Sequence, residues 1–302
     1  MNLAALDPLP WWLSLVLLAL VIAGLRWLAW RLWSLLTRWT MGLWRVLARA
    51  PIPDVGSTRL GRRWPRQSSW LVGRLTVHRF SGLALTLGSI LAVYLLFLFA
   101  GLVEAVLERE EVVWLDQQIN AALALFRDPR VVQLFHWITG MGDGSALTIV
   151  CVTALALFWA QRRMPFFWGL ALAAPMALAI TWIGKYAIGR DRPDPLTFAQ
   201  AVSPSFPSGH TTGAAVVYGF LAYALARQLP RSRQQFEVVY WALVLIALIA
   251  FSRMVLSVHY FSDILAGLLI GGFGVMTGLA LSETLLERSR AGDRRKEKHA
   301  RK

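Results

Sequence analysis

Cysteine and charged residues are both scarce in this chain. The single cysteine, Cys151, excludes an internal disulfide, and its position in an apolar run leaves the redox compartment open. Only 16% of the 302 residues are charged, whereas 57% are hydrophobic and the mean hydropathy is +0.52. A soluble domain of this length carries more charge. The composition therefore predicts an all-α protein, a polytopic membrane helix bundle.

Apolar runs separated by polar connections define the predicted spans. Most of them approach the ~20 residues that a ~30 Å hydrocarbon core requires. The seven segments are approximately Trp11 to Trp30, Ser81 to Val103, Ala146 to Ala160, Phe166 to Ile188, Thr212 to Ala226, Val238 to Val258, and Ile264 to Leu286. The third and fifth are short and are expected to extend into flanking residues. The first is not a cleavable signal peptide, because no basic region precedes it.

Acidic residues are also few, 17 against 31 basic ones, and the net charge is +14. Residues 34–79, 161–164, 227–237 and 287–302 hold 22 lysines and arginines. The opposite connections hold seven, which are Arg109, Arg127, Arg130, Lys185, Arg190, Arg192 and Arg253. This bias predicts a multi-pass inner or plasma membrane protein with an outer N-terminus and a cytoplasmic C-terminus. We therefore expect attraction to anionic headgroups, and no nucleic-acid partner.

Three domains are predicted along the chain. Residues 1–80 form a transmembrane span and a basic amphipathic cytoplasmic segment, residues 81–286 form the core, and residues 287–302 form a disordered basic cytoplasmic tail. Tryptophans and leucines alternate with arginines in Ser34 to Ala50, which favours an interfacial helix over a continuation of the first span. The stretch Glu108 to Gly144 is expected to cap the outer mouth of the bundle.

Three polar clusters fall in connections that share the outer side. They are KYAIGRDRP at 185–193, FPSGH at 206–210 and SRMVLSVHYFSD at 252–263. Lys185 is the only lysine in the first 295 residues, and a lone lysine at the end of a span is usually a snorkelling anchor. Beside Arg192 and Arg253, however, it is better interpreted as one of three cations around an anion.

The two histidines of these clusters, His210 and His259, each lie close in sequence to residues that could assist catalysis. Gly209 lets a ligand approach the backbone, and the N–H groups at the head of a helix favour a phosphoryl group there. A serine cap with an unrelated histidine is the alternative for Ser208 to His210. His259 and Asp263 share a helix face, so the carboxylate can fix the histidine tautomer and leave the other nitrogen to attack. The alternative for that pair is a structural hydrogen bond.

Together the clusters resemble the three-part signature of the type-2 phosphatidic acid phosphatase superfamily. The matching positions are Lys185-x6-Arg192-Pro193, Pro207-Ser208-Gly209-His210 and Ser252-Arg253-x5-His259-x3-Asp263. The resemblance covers about residues 80 to 286. It implies a six-span phosphatase core with one extra N-terminal span, in the manner of the bacterial membrane-bound lipid phosphatases. It implies no metal and no cofactor, and the sequence contains no HExxH motif.

The resemblance also implies a role for each site residue. His259 attacks phosphorus and forms a phosphohistidine, Asp263 orients it, and His210 protonates the leaving oxygen and then activates water. The phosphoryl oxygens are held by Lys185, Arg192, Ser208, Gly209 and Arg253. Asp191 is an unusual neighbour for a phosphate site, so it must point away or pair with Arg190.

These observations predict a metal-independent hydrolase of lipid phosphates or pyrophosphates that acts at the extracytoplasmic face. The expected substrates belong to the undecaprenyl pyrophosphate, phosphatidylglycerophosphate or phosphatidate class. Phosphotransfer to another envelope lipid needs the same residues and stays an alternative. A non-catalytic lipid transporter is disfavoured, because it would need the cations but no nucleophile. The expected partners are membrane lipids, and the sequence leaves protein partners open.

Overall fold

The computed structural model describes residues 11–49, 62–75, 80–124, 127–193 and 203–300. Within these residues there are ten α-helices and no strand, which confirms the predicted all-α class. The helices are α1 (Trp11–Arg49), α2 (Pro65–Leu75), α3 (Leu85–Glu108), α4 (Glu110–Ala124), α5 (Pro129–Gly140), α6 (Gly144–Ala160), α7 (Met164–Ile188), α8 (Gly209–Ala226), α9 (Ser232–Val255) and α10 (Phe261–Ala300). A π-helical turn, Phe80–Ala84, leads into α3.

Six helical segments of the described residues are long and apolar enough to cross a membrane. They are Leu15–Leu43, Ser81–Glu108, Pro129–Ala160, Met164–Ile188, Ser232–Val255 and Phe261–Gly292. Helix α8 is the remaining predicted span. It begins with the polar sequence Gly-His-Thr-Thr, and most of its side chains are buried by the neighbouring helices. The protein is therefore a multi-pass membrane helix bundle with α8 inside it.

Helix α10 packs against α3, α7 and α8, and its glycines allow the closest of these contacts. A Cβ atom at Gly271 would overlap the Cβ atom of Ala215 on α8. A Cβ atom at Gly267 would lie 2.8 Å from the backbone oxygen of Ser208. Small residues let helix backbones approach one another in membrane bundles. This seam holds the first turns of α8 and α10 side by side, and those turns carry the predicted site residues.

Helices α4 and α5 lie at the same end of the bundle as these first turns. The rings of Phe135 on α5 and Phe251 on α9 meet edge to face, with centroids 5.5 Å apart. Between α4 and α5, the Arg127 Nε donates a hydrogen bond to the carbonyl of Val255 at 2.9 Å. The segment between the second and third predicted spans therefore folds onto the end of α9.

Helix α1 runs without a break from Trp11 to Arg49. Residues 34–49 therefore continue the helix of the first span, which was the alternative to a separate interfacial helix at Ser34 to Ala50, and Ala50 itself lies outside the described residues. Residues 34–49 contain no proline, and extending a formed helix needs no new nucleus. The helix is attached to α9 by an ion pair between Arg26 Nη2 and Glu237 Oε1 at 2.5 Å.

Helix α10 also extends beyond its predicted end. The tail 287–302, expected to be disordered, is helical as far as Ala300, and residues 301–302 lie outside the described part. Glutamate, arginine, lysine and alanine are good helix formers, so the sequence of the tail continues the helix that precedes it.

Candidate active site

The predicted site residues meet at one end of the bundle, around a cavity of about 480 Å³. Six of the eight line it directly, which are Lys185, Arg192, Gly209, His210, Arg253 and His259. The other two lie one layer behind. Asp263 is fully buried and contacts His259, and Ser208 is fully buried next to Gly209. Four separate helix ends therefore bring these side chains together.

His259 and Asp263 form a buried pair at the head of α10. Nδ1 of His259 lies 3.2 Å from Asp263 Oδ2, and the side chains are only 2% and 0% exposed. The same carboxylate oxygen accepts hydrogen bonds from the Ser205 hydroxyl and from the backbone N–H of Tyr260. An acceptor of this kind places the imidazole proton on Nδ1, so that Nε2 carries the lone pair. Nε2 faces Arg192, whose Nη1 is 3.3 Å away.

Burial keeps this imidazole neutral. It lowers the pKa of His259 from 6.5 to about 3, because the charged form loses its hydration, while the hydrogen bond and the charge of Asp263 oppose that shift. The cations Arg253 and Arg192 lower the pKa further. A neutral, oriented imidazole is the form of histidine that can act as a nucleophile.

A buried ion network supports Asp263 from behind. Arg190 reaches Asp263 Oδ1 through Nη1 and Asp116 Oδ2 through Nη2, each at 2.8 Å. Asp116 of α4 is 2% exposed and also accepts a hydrogen bond from the backbone N–H of Ser262 at 3.0 Å. Asp191 is exposed to solvent, so of the two expected arrangements the one in which it points away is observed. Neither Asp116 nor the role of Arg190 was predicted from the sequence.

Two of the three predicted cations are held by backbone carbonyls. Arg192 donates from Nε to Ser203 at 2.8 Å and from Nη1 to Val258 at 2.7 Å. Lys185, in the last turn of α7, donates from Nζ to Pro204 at 2.5 Å. Neutral carbonyls orient these side chains without cancelling their charge. The positive charge therefore remains available to an anion in the cavity.

Arg253, the third cation, has unused hydrogen-bonding capacity. Its Nη1 donates to Thr139 Oγ1 at 2.7 Å. Its Nε is buried and has no hydrogen-bond partner among the residues that the structure describes. A buried donor without a partner costs free energy, about 1–3 kcal/mol for a typical group. An anion bound in the cavity is a natural partner for it, because Arg253 lines that cavity.

The first turn of α8 supplies backbone donors at the same place. The helix begins at Gly209, and the first N–H bonded to a carbonyl of this turn is that of Thr212, which donates to Ser208 at 3.0 Å. The N–H groups before it belong to the orphan donors of a helix N-terminus. The Ser208 hydroxyl accepts from Thr211 Oγ1 at 3.0 Å and keeps its own proton to donate. Helix geometry and three cations thus favour a tetrahedral oxyanion.

His210 has a carboxylate partner that the sequence analysis also missed. Its Nε2 lies 2.6 Å from Asp143 Oδ1, and the two side chains are 23% and 51% exposed. Asp143 immediately precedes α6, in the short sequence Gly142-Asp143-Gly144. A Cβ atom at Gly142 would be 3.4 Å from His210 Cδ2, so this turn packs directly on the histidine ring.

Most of the remaining cavity wall is apolar, with Thr148, Thr181 and Ser203 as its polar members. Below the charged end it is lined by side chains of α6 and α7 that include Leu147, Cys151, Val152, Pro175, Leu178 and Trp182. A space with charge at one end and apolar walls at the other suits a phosphate group attached to a hydrocarbon chain. Within the described residues no group of three or more histidine, cysteine, aspartate or glutamate side chains is arranged to hold a metal ion.

Comparisons with known proteins agree with this geometry. A family model described as the PAP2 superfamily matches residues 166–285. The chain is 32% identical over 178 residues to phosphatidylglycerophosphatase B of Bacillus subtilis, which covers 58% of this chain and 87% of that protein. It is 31% identical over 183 residues to a lipid A 1-phosphatase of Rhizobium etli, which covers 51% of this chain and 72% of that protein.

A solved structure is similar as well. The crystal structure of the first transmembrane PAP2 type phosphatidylglycerolphosphate phosphatase from Bacillus subtilis matches with a TM-score of 0.53 and 29% identity. The match covers 67% of this chain and 96% of that one. All eight residues predicted from the sequence lie within 166–285, whereas Asp116 and Asp143 lie outside that range.

Proposed function

Because the chain belongs to the PAP2 superfamily and is a membrane lipid phosphatase, we propose that it hydrolyses its substrate through a phosphohistidine formed on His259. One observation carries the proposal. A buried, neutral imidazole is oriented by Asp263, and its Nε2 lies at a cavity that three cations also line. A binding protein would need the cations but not an imidazole prepared in this way.

In the first step, the Nε2 lone pair of His259 attacks phosphorus, and the bond from phosphorus to the ester oxygen breaks. His210, in its protonated form, gives a proton to the departing oxygen, so that the lipid leaves as an alcohol. For a pyrophosphate the departing group is a lipid phosphate instead. Asp263 accepts the hydrogen bond from Nδ1–H and stabilises the positive charge that develops on the ring.

In the second step, His210 takes a proton from water, and the water oxygen attacks phosphorus as the bond to Nε2 breaks. Inorganic phosphate leaves, and His259 regains its lone pair. Arg192, Arg253 and Lys185 balance the charge on the phosphoryl oxygens in both steps, together with the Ser208 hydroxyl and the N–H of Gly209. With three cations in place, the proposed reaction requires no metal ion.

The proposed substrates are lipid phosphates and pyrophosphates of the phosphatidylglycerophosphate, phosphatidate or undecaprenyl pyrophosphate class. The apolar wall formed by α6 and α7 supports this, because it continues from the phosphate end of the cavity. The relatives named above act, by their names, on phosphatidylglycerophosphate and lipid A. The hydrocarbon chain lies along that wall in the proposed complex.

The proposed site opens to the extracytoplasmic face of the inner or plasma membrane. Charge distribution supports this side, because basic residues concentrate in the connections of the opposite set. Alkaline phosphatase fused after Lys302 should be inactive in cells, whereas a fluorescent protein fused there should be bright. An active alkaline phosphatase fusion at that position would reverse the proposed orientation.

Phosphate release from purified protein in detergent tests the activity itself. We expect release from at least one lipid in a panel of phosphates and pyrophosphates, unchanged by EDTA. Rapid quenching of a reaction with labelled substrate should trap a phosphoprotein that is labile in acid and stable in base, and His259→Ala should lack it. Label that appears on an added lipid alcohol instead of in free phosphate would identify a phosphotransferase. Activity that EDTA abolishes and magnesium restores would contradict the metal-free site.

A further inference from the structure

The contact between Asp143 and His210 uses a carboxylate that would ordinarily serve its own helix. Asp143 occupies the N-cap position of α6, with extended backbone angles of −65° and 148°, yet its side chain makes no capping hydrogen bond. An aspartate at this position usually accepts from the N–H groups of the first turn. Here the carboxylate turns away from its helix and accepts from His210 Nε2 at 2.6 Å.

Asp128 shows the ordinary arrangement at the neighbouring helix. It is the N-cap of α5, with similar backbone angles of −61° and 140°. Its Oδ1 accepts from the backbone N–H of Arg130 at 2.8 Å and so caps the helix. The two aspartates share residue type, backbone conformation and helix position, and they differ in what their side chains bind. The orientation of Asp143 is therefore not a consequence of its place at the start of a helix.

The turn that carries Asp143 is fixed against α8. The Tyr218 hydroxyl donates to the carbonyl of Met141 at 2.7 Å, and the Leu147 N–H donates to the carbonyl of Asp143 at 2.9 Å. The ring of His210 packs on the preceding residue, Gly142. These contacts involve the backbone of the turn and not the Asp143 carboxylate. They therefore position the carboxylate next to the imidazole and leave its oxygens free to bind His210.

We propose that Asp143 is a positioning residue for His210, which fixes the ring of the acid–base histidine and stabilises its protonated form. The inference rests on the proposed function of His210. With the Nε2 proton bound to Asp143, Nδ1 is the nitrogen left to give a proton to the departing oxygen and to take one from water. Asp143 neither touches the phosphoryl group nor changes its own protonation in this scheme.

The charges around His210 explain why it needs such a partner. Burial is the largest factor that disfavours a positive charge on the imidazole, and Arg253 and Arg192 across the cavity add to it. Lys185 and the neutral ring of His259 line the same space. Asp143 is the carboxylate that contacts His210 directly, so it offsets the cations that hold the phosphate. The contact with Asp143 therefore allows the cations that bind the phosphate and a protonated His210 to be present in the same cavity.

Leaving-group dependence tests this role. The two substrates are phosphatidate, whose alkoxide needs a proton to depart, and a nitrophenyl phosphate bearing an alkyl chain, whose phenolate departs without one. For Asp143→Asn we expect kcat/KM to fall about 10- to 100-fold on phosphatidate and less than about threefold on the aryl phosphate. The basic limb of the phosphatidate pH profile should move to lower pH, because the carboxylate no longer stabilises the imidazolium. Asp128→Asn is the matched control and should change neither the ratio nor the profile.

Equal losses on both substrates, or an unmoved pH profile, would show that Asp143 is structural and overturn the inference. Should Asp143→Asn unfold in detergent, Asp143→Glu provides the second variant, because it keeps the charge at a shifted distance. We expect Asp143→Glu to keep the wild-type pH limb with a reduced rate, and a basic limb displaced to lower pH in this variant would count against the proposal. Wild-type protein that releases phosphate from neither of these substrates and from no lipid of the panel described above would refute the proposed function itself.

Discussion

The two histidine–aspartate pairs at the end of this bundle differ in burial more than in distance. The side chains of His259 and Asp263 are 2% and 0% exposed, at 3.2 Å, whereas those of His210 and Asp143 are 23% and 51% exposed, at 2.6 Å. In the proposed mechanism a nucleophile must stay neutral and fixed, and an acid–base group must exchange protons with the leaving group and water. In that mechanism, solvent access separates the two roles between pairs made of the same two residue types, one joined through Nδ1 and the other through Nε2.

Replacement of the histidines should give the largest difference between the pairs. We expect His259→Ala to lower kcat by about 10⁶-fold, as for other nucleophile–base systems, because no phosphoenzyme can form. His210→Ala should lower it by about 10²- to 10⁴-fold, the range of general acid–base catalysis. Phosphate release from one lipid substrate measures both, with circular dichroism as the folding control. The comparison fails if His259→Ala is the more active of the two.

Replacement of the aspartates should again cost more activity in the buried pair than in the exposed pair, with smaller losses than for the histidines. Asp263→Asn removes the acceptor that sets the tautomer of His259, and the corresponding change in a serine protease costs ~10⁴-fold in kcat. We therefore expect a loss of about this size, larger than the 10- to 100-fold given above for Asp143→Asn on the same substrate. Steady-state kinetics on phosphatidate measures it. A milder loss for Asp263→Asn than for Asp143→Asn would mean that burial does not distinguish the pairs.

Arg190 tests whether the buried pair depends on its ion network for stability. Arg190→Gln leaves Asp116 and Asp263 buried without their counter-charge, and breaking a buried ion pair in this way costs about 3–5 kcal/mol. The exposed pair of Arg109 with Glu104, at 3.8 Å, provides the control, because Arg109→Gln should cost less than about 1 kcal/mol. Thermal unfolding of both variants in detergent measures the difference. Similar midpoints for the two would show that the network adds no stability.

The glycine seam tests how the two pairs are held relative to one another. Gly267→Ala forces a methyl group to 2.8 Å from the Ser208 carbonyl, so the first turns of α8 and α10 must separate. Overpacking of this kind costs about 1–3 kcal/mol. Gly272→Ala is the matched control, because its Cβ atom would meet only Leu95 Cδ1, at 3.4 Å. We expect a lower unfolding midpoint and a lower kcat for Gly267→Ala alone. Equal unfolding midpoints for Gly267→Ala and Gly272→Ala would show that the close approach of α8 and α10 at Gly267 does not contribute to stability.

The smallest expected effect concerns the titration of His259. We expect no change in its protonation between pH 5 and pH 8. Burial lowers its pKa to about 3, below the ordinary 6.5, so the neutral form persists as the pH falls through that interval. Ring nitrogen chemical shifts of labelled His259 in detergent, measured by NMR, should therefore be constant there. A midpoint near 6.5 would show that water reaches the pair, and it would remove the contrast with His210.

Local patterns predicted the part of this molecule that depends on local spacing. His259 and Asp263 are four positions apart, a spacing that predicted contact on one helix face. The contact is observed, but α10 begins at Phe261, so His259 lies in the turn that precedes the helix. Apolar runs identified the membrane helices, because the length of a span is set by the bilayer. The alternative for Ser34 to Ala50 proved to be the observed one, since amphipathic composition does not by itself end a helix.

The contacts that were missed connect distant parts of the chain. Asp143 and His210 are 67 residues apart, and Asp116 and Arg190 are 74 apart. No periodicity relates such positions, and their partnership depends on how α4 and α6 pack against the bundle. An aspartate before an apolar segment reads as a helix cap, which is what Asp128 is and Asp143 is not.

Cys151 gives the apolar wall of the cavity a reporter that requires no mutagenesis. It is the only cysteine of the chain, it is partly exposed, and it lines the cavity from α6. A thiol reagent small enough to share the cavity therefore modifies this protein at a single position. The rate of modification of Cys151 should fall when a hydrocarbon chain occupies the cavity. Thiol labelling therefore reports lipid occupancy of the cavity in the unmodified chain.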